Sequence, residues 1–101
     1  MEKRRPTYDL AAIKSVLGSV DSLAITRTAL MDAFALGFDR ANITAVIRSM
    51  RRTMFFKSMT TYADHRTWQD VYHVPVGEMV LYVKIQADIV TEFRLMSFKE
   101  K

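Results

Sequence analysis

Residues able to do chemistry concentrate between Phe55 and Gln86, where a basic and aromatic run, FFKSMTTYADHRTWQDVYH, is followed by an alternating one, EMVLYVKIQ. Lys57 supplies a cation, Gln69 an amide and Tyr82 a phenol, and such a set can close around a phosphate. Other chemistries find no support. The two histidines, His65 and His73, lie eight residues apart with Asp64 and Asp70 nearby, in no recognised metal-ligand spacing. The three glycines, Gly18, Gly37 and Gly77, are scattered and form no phosphate-cradling loop. No serine sits in a GxSxG turn, and no carboxylate pair of the glycosidase kind stands out. Zero cysteines remove thiolate nucleophiles, thiolate metal sites and disulfides, and fit a reducing compartment. Each residue also has an ordinary use: Lys57 as an edge charge, His65 as a surface turn residue, Trp68 as core, Tyr62 and Tyr72 as core or as platforms for stacked bases.

These side chains must be positioned by strands. Residues suited to a pleated, half-buried surface crowd 54–62 and 68–74, separated by the polar turn from Ala63 to Thr67. The run 78–86 alternates, with Met79, Leu81, Val83 and Ile85 on one face and Val80, Tyr82, Lys84 and Gln86 on the other. A fourth strand is expected over 89–98. It alternates poorly, as a central strand covered on both faces would. A tight turn at Val74 to Gly77, with Pro75 in its first central position, sets Gln69 opposite Tyr82. A symmetric first hairpin about Tyr62 to Asp64 sets Lys57 opposite Gln69, so Lys57, Gln69 and Tyr82 form one row. The outer backbones of that row are roughly 10 Å apart, a gap Lys and Tyr side chains can bridge around a phosphate.

Three helices precede the strands. Asp9 can cap a helix carrying Leu10, Ile13, Val16 and Leu17 and ended by Gly18. Thr26 can cap a second, with Ala29, Leu30, Ala33, Phe34 and Leu36, stopped by Gly37. Asp39 opens a third, whose stripe of Ile43, Val46, Ile47 and Met50 faces a core. Arg48, Arg51 and Arg52 gather at its end, where they either complement the helix dipole or bind phosphate. Helices first and an antiparallel sheet afterwards make an α+β domain, with N-terminal helices packed on a C-terminal sheet.

The chain has 101 residues, half of them hydrophobic, enough for a single domain over 1–101 with one core. A net charge of +4 favours polyanionic partners. The basic arm of residues 1–7 reads as a solvated terminus or as an RNA contact. An amphipathic segment follows it, and no apolar run approaches the ~20 residues needed to span a bilayer. A cytoplasmic protein with no membrane partner is the expectation.

The block KSMTTY at 57–62, AspHis at 64–65 and WQDVY at 68–72, together with the start MEKR and the ending SFKEK, resembles the MqsR family of bacterial toxins from end to end. The resemblance implies a RelE-like fold, an mRNA interferase (an endoribonuclease shutting down translation), short GC-containing cleavage sites of GCU type, and a cognate zinc-containing, DNA-binding antitoxin of the MqsA kind. DNA would be reached only through that antitoxin. The family's functional Lys, Gln and Tyr fall on Lys57, Gln69 and Tyr82. His73 is a departure, standing where arginine is the familiar residue.

Under that reading no cofactor or metal is needed. Lys57 stabilises phosphate charge, Tyr82 donates a proton, Gln69 orients, and His65 is the candidate base. Arg51, Arg52, Tyr62, His73 and Lys84 complete the expected RNA contacts. The competing class is a sheet that holds RNA or a protein without cutting. No helix-turn-helix pattern supports direct transcriptional control.

Overall fold

The computed structural model describes residues 1–101. All three helix starts lie where the capping residues place them. Asp9 accepts from the Ala12 N–H at the head of α1 (Leu10–Leu17), and Thr26 accepts from Ala29 at the head of α2 (Arg27–Ala35). Asp39 and Asn42 form a reciprocal capping box on α3 (Arg40–Ser49). The third helix buries Ile43, Val46 and Ile47, with Met50 buried just past its end, which is the expected stripe. In the second helix Ala29 and Ala33 are buried and Leu30 and Leu36 pack on the core as expected, and only Phe34 departs, staying exposed. Gly18 allows close packing: a Cβ there would stand 2.4 Å from the Lys14 carbonyl oxygen and 2.9 Å from Arg48 Cγ.

Five antiparallel strands form one sheet in chain order: β1 (Glu2–Lys3), β2 (Phe55–Thr60), β3 (Trp68–Val76), β4 (Met79–Asp88) and β5 (Glu92–Glu100). A short 3₁₀ turn, Arg52–Met54, joins α3 to β2. The arrangement is α+β, as expected. The basic arm is no loose terminus, since Glu2 and Lys3 pair with Met59 and Ser58. Buried Asp70 fastens the arm by accepting from the Thr7 and Tyr8 N–H groups. A two-residue strand is too short to show any period in sequence.

One side of the sheet carries the core, a cluster of 17 buried residues uniting Ile13, Leu17, Ile43 and Ile47 of the helices with Tyr72, Val74, Leu81, Val83, Ile85, Leu95 and Phe98 of the strands. The expectation that the last strand is central is overturned: β5 is the edge strand, pairing only with β4 among the five strands. Its poor alternation has another cause. A bulge at Met96 lets Leu95 and Phe98 both reach the core. Its outer edge is partly covered, because Leu95 exchanges backbone hydrogen bonds with Ala24 and Thr26.

Candidate functional site

The face of the sheet away from the helices is set by two hairpins, and neither has the expected register. In the second, Val76 pairs with Met79, so the turn is Gly77 and Glu78, with Gly77 at φ 60°. Positive φ in the first central position is what a II′ hairpin turn requires. Pro75 therefore sits inside the strand, opposite Val80, and Tyr82 faces His73 instead of Gln69. In the first hairpin the longer loop Thr61–Thr67, closed by a Thr61 N–H bond to the Thr67 carbonyl (3.1 Å), sets Lys57 opposite Val71. Gln69 faces Met59 on one side and Gln86 on the other.

The expected row of Lys57, Gln69 and Tyr82 is thus absent, yet the three share a face. One hairpin is displaced by two residues and the other by four, and only an odd displacement moves a side chain across the sheet. Three rows result along the open face: Met59, Gln69, Gln86 and Arg94; then Lys57, Val71, Lys84 and Ser97; then His73, Tyr82 and Lys99. A bulge at Phe56 explains the two mixed faces of β2. Phe55 packs on Tyr72 in the core, while Lys57 and Met59 turn to the open side. Val71 is fully buried but outside the core cluster, covered by the side chains of this face.

Charge on the open face is nearly all positive. Lys57, 23% exposed, pairs with Glu2 of β1, and that contact holds the Glu2 carboxyl below its usual range. Arg94 lies 3.6 Å from Asp88. Lys84 and Lys99 have no carboxylate partner. Burial and the neighbouring Lys99 charge push the Lys84 ammonium down. The Lys99 ammonium stands 5.5 Å from the Tyr82 ring centre. Beside them His73 stacks on Phe56, ring centres 4.2 Å apart and planes 23° apart, with the Tyr82 ring 6.1 Å away on its other side. Burial, and secondarily Lys101, lower the His73 pKa. One end of the face is different in kind: the Gln69 amide donates to the Gln86 side-chain oxygen at 2.9 Å.

The remaining sequence candidates lie elsewhere. His65 and the fully exposed Tyr62 are loop residues lining a cleft of about 210 Å³ with Met1, Thr60 and Thr61. Arg51 is exposed beside the 3₁₀ turn, and the Arg52 guanidinium lies 5.6 Å from the ring centre of Phe55, which packs on the helix-covered side. Trp68 is half-buried under the Lys3 ammonium, 4.2 Å from its ring centre. Phe56, Gln86, Arg94, Ser97 and Lys99 join the face although the sequence reading assigns them no role. Gln86 shares an alternating face with Tyr82 and Lys84 and is legible there. The two bulges hide the others.

A family model described as "Motility quorum-sensing regulator, toxin of MqsA" matches residues 5–100. The "mRNA interferase toxin MqsR" of Escherichia coli (strain K12) is 39% identical over 101 residues, covering the whole of both chains. The chain belongs to the MqsR toxin family. Within this MqsR-family chain the open face gathers cations, amides and a phenol. No group of three or more His, Asp or Glu side chains could hold a metal ion. No helix is long and apolar enough to cross a membrane.

Proposed function

We propose that this chain is a single-domain endoribonuclease toxin of the mRNA interferase kind, cutting single-stranded mRNA in the cytoplasm on the open face of its sheet. The carrying observation is the cluster of Lys57, Tyr82, Lys84 and Lys99 on one face, in which Lys57 alone is paired with a carboxylate, that of Glu2 from the Met59 row. A phosphate between Lys84 and Lys99 relieves their mutual repulsion. The full-length likeness to a relative named an mRNA interferase supports the same reading.

Cleavage without metal uses the 2′-hydroxyl as nucleophile on its own adjacent phosphate, leaving a 2′,3′-cyclic phosphate and a 5′-hydroxyl. Lys57 and Lys84 neutralise the charge that grows on the phosphate oxygens, and Tyr82 donates to the leaving oxygen. By strand spacing Lys57 and Tyr82 are about 12 Å apart at the backbone, within reach of two long side chains closing on one phosphate. Gln69 lies four residues along the sheet, about 13 Å from the Tyr82 row. There it is a contact for a neighbouring nucleotide, next to Gln86, more than for the scissile phosphate. The reaction is proposed to be metal-free because Lys57, Lys84 and Tyr82 can themselves supply the charge and the proton it requires. The GCU-type site preference is proposed from the family resemblance alone. A cognate antitoxin, zinc-containing and carrying the DNA contact, is likewise proposed, supported by the family's description as a toxin of MqsA.

The test is cleavage of a defined RNA by purified protein in EDTA. Expected products carry a cyclic or 3′-phosphate and a 5′-hydroxyl. Binding without any cutting would make the protein a non-catalytic RNA-binding module, and strict Mg²⁺ dependence with 5′-phosphate ends would overturn the mechanism.

A further inference from the structure

The geometry points to His73 as the general base of the cleavage reaction, taking the proton of the attacking 2′-hydroxyl and returning it through Tyr82. The inference rests on the endoribonuclease reading above and deepens it by naming the proton carrier. His73 and Tyr82 are direct cross-strand partners on the open face. Stacking on Phe56 at 4.2 Å fixes the plane of the imidazole, leaving its edge nitrogens as the groups that can meet substrate. Lys57 lies opposite Val71, one same-face step from His73, about 8 Å away at the backbone. Cation, imidazole and phenol therefore lie in adjoining rows of one face, within reach of a single phosphate. His65 does not share it. From His73 to the start of β3 at Trp68 is five residues, about 17 Å, and His65 lies beyond that end, in the cleft with Met1 and Thr60.

A base must be unprotonated at working pH, and the surroundings of His73 supply that. Facing it are Lys57 from β2, Tyr82 and Lys84 from β4, Lys99 from β5, Lys101 at the chain end, and Arg4 of the N-terminal arm, 5.5 Å from the Phe56 ring centre. The Glu2 carboxylate belongs to the Met59 row, two rows away, and is paired with Lys57. Partial burial, and secondarily the Lys101 charge, hold the imidazole below its ordinary value, so it is neutral near pH 7.

The proton balance closes within the pair. As the 2′ oxygen bonds to phosphorus, its proton passes to His73. The bond from phosphorus to the 5′ oxygen breaks, and that oxygen leaves with the Tyr82 hydroxyl proton. The resulting imidazolium then reprotonates the Tyr82 phenolate across the strand pair, restoring both groups. The net change is one proton moved from the 2′ to the 5′ oxygen.

The experiment is the pH dependence of kcat/KM for cleavage of a defined RNA, with binding measured on a 2′-deoxy analogue that cannot react. Wild type should lose activity as pH falls through a single ionisation below the ordinary imidazole value of about 6.5. His73→Phe keeps the stack on Phe56 and removes the titration. It should lower the rate by about a hundred- to ten-thousandfold, abolish the acidic limb and leave analogue binding within a few-fold. His73→Gln should behave alike. Retention of the limb and of rate in both variants would overturn the inference, as would a limb that disappears in His65→Gln instead. Should either variant fail to fold, the wild-type His73 titration followed by NMR decides, since a midpoint differing from the kinetic limb by more than about one unit excludes it. If wild type cleaves nothing, the endoribonuclease reading falls and takes this inference with it. If wild type cleaves and the variants match it, only the assignment of His73 falls.

Discussion

The two faces of the sheet are built from the same strands and obey opposite rules. On the helix-covered side the core positions are apolar and packed, Leu81, Val83, Ile85, Leu95 and Phe98 being fully buried, and the buried polar pair Asp70 and Ser58 lies at one end, where Asp70 holds the N-terminal arm. On the open side the intervening positions are Lys57, Gln69, His73, Tyr82, Lys84 and Lys99. Each face carries one tyrosine of the WQDVY and VLYVKI segments. Tyr72 lies in the core with its hydroxyl unpartnered, while Tyr82 lies half-exposed among cations. Alternation thus separates stability from chemistry at single-residue resolution, and neighbouring positions in one strand should fail in different assays.

The largest effects test that separation. Leu81→Ala removes a fully buried side chain and should cost about 2–5 kcal/mol of stability, read from urea unfolding. Tyr82→Phe, one residue away, keeps the ring and should leave the unfolding midpoint nearly unchanged. It should lower single-turnover cleavage by roughly ten- to a thousandfold, about 1.4 to 4 kcal/mol in the barrier, with little change in RNA affinity. Wild-type cleavage by Tyr82→Phe would reduce Tyr82 to a stacking residue and break the comparison on its catalytic side.

How legible this division is in sequence depends on which signal carries it. Caps and stripes are local, so Asp9, Thr26 and Asp39 mark the helix starts, and the Ile43 to Met50 stripe marks the core side of α3. Strand β4 alternates without interruption, and its two faces follow from the residues alone. Register is set by turns, where small errors accumulate. Pro75 suggests a turn it does not occupy, and the loop after Thr60 is longer than a symmetric hairpin expects. Both displacements are even, which preserves the shared face of Lys57, Gln69 and Tyr82 while dissolving their row. The bulges at Phe56 and Met96 reverse the parity of β2 and β5 partway along, a change no periodicity count can follow. For that reason the place of Lys99 on the open face is hidden, although it lies in the SFKEK ending on which the resemblance partly rests.

A middle-sized effect asks where RNA runs. On the open face, substituting Lys84 and Lys99 together with Ala should flatten the dependence of log affinity on log salt by about 1.4, at roughly 0.7 for each single-strand phosphate no longer neutralised. Arg51 and Arg52 lie off the open face, Arg52 beside Phe55 and Arg51 exposed just before the 3₁₀ turn, so their double Ala variant should shift the slope less. If the arginine variant flattens the slope more than the lysine variant, RNA wraps over the sheet edge near Phe55, and the open face is not the whole binding surface.

The smallest effect concerns the covered tyrosine. Burial, aided by the nearby Asp70 charge, pushes the Tyr72 phenol up to about 12. The unfolded chain would ionise it near 10, so the folded state holds the proton more tightly. The stabilisation this represents is fully present below pH 10 and is lost as pH rises from there through about 12. Tyr72→Phe keeps the edge-to-face contact with Phe55, 5.5 Å between ring centres, and removes only the unpartnered hydroxyl. An unsatisfied buried hydroxyl is unfavourable, so the variant should be more stable at pH 7 by about 1 kcal/mol. Its advantage should widen between pH 10 and pH 12, because other alkaline titrations are common to both proteins and cancel in the difference. Urea midpoints at pH 7 and pH 11 measure it. Equal midpoints at both pH values would mean that the hydroxyl is solvated or paired in solution, and the covered face would then tolerate a polar atom that the packing gives no partner.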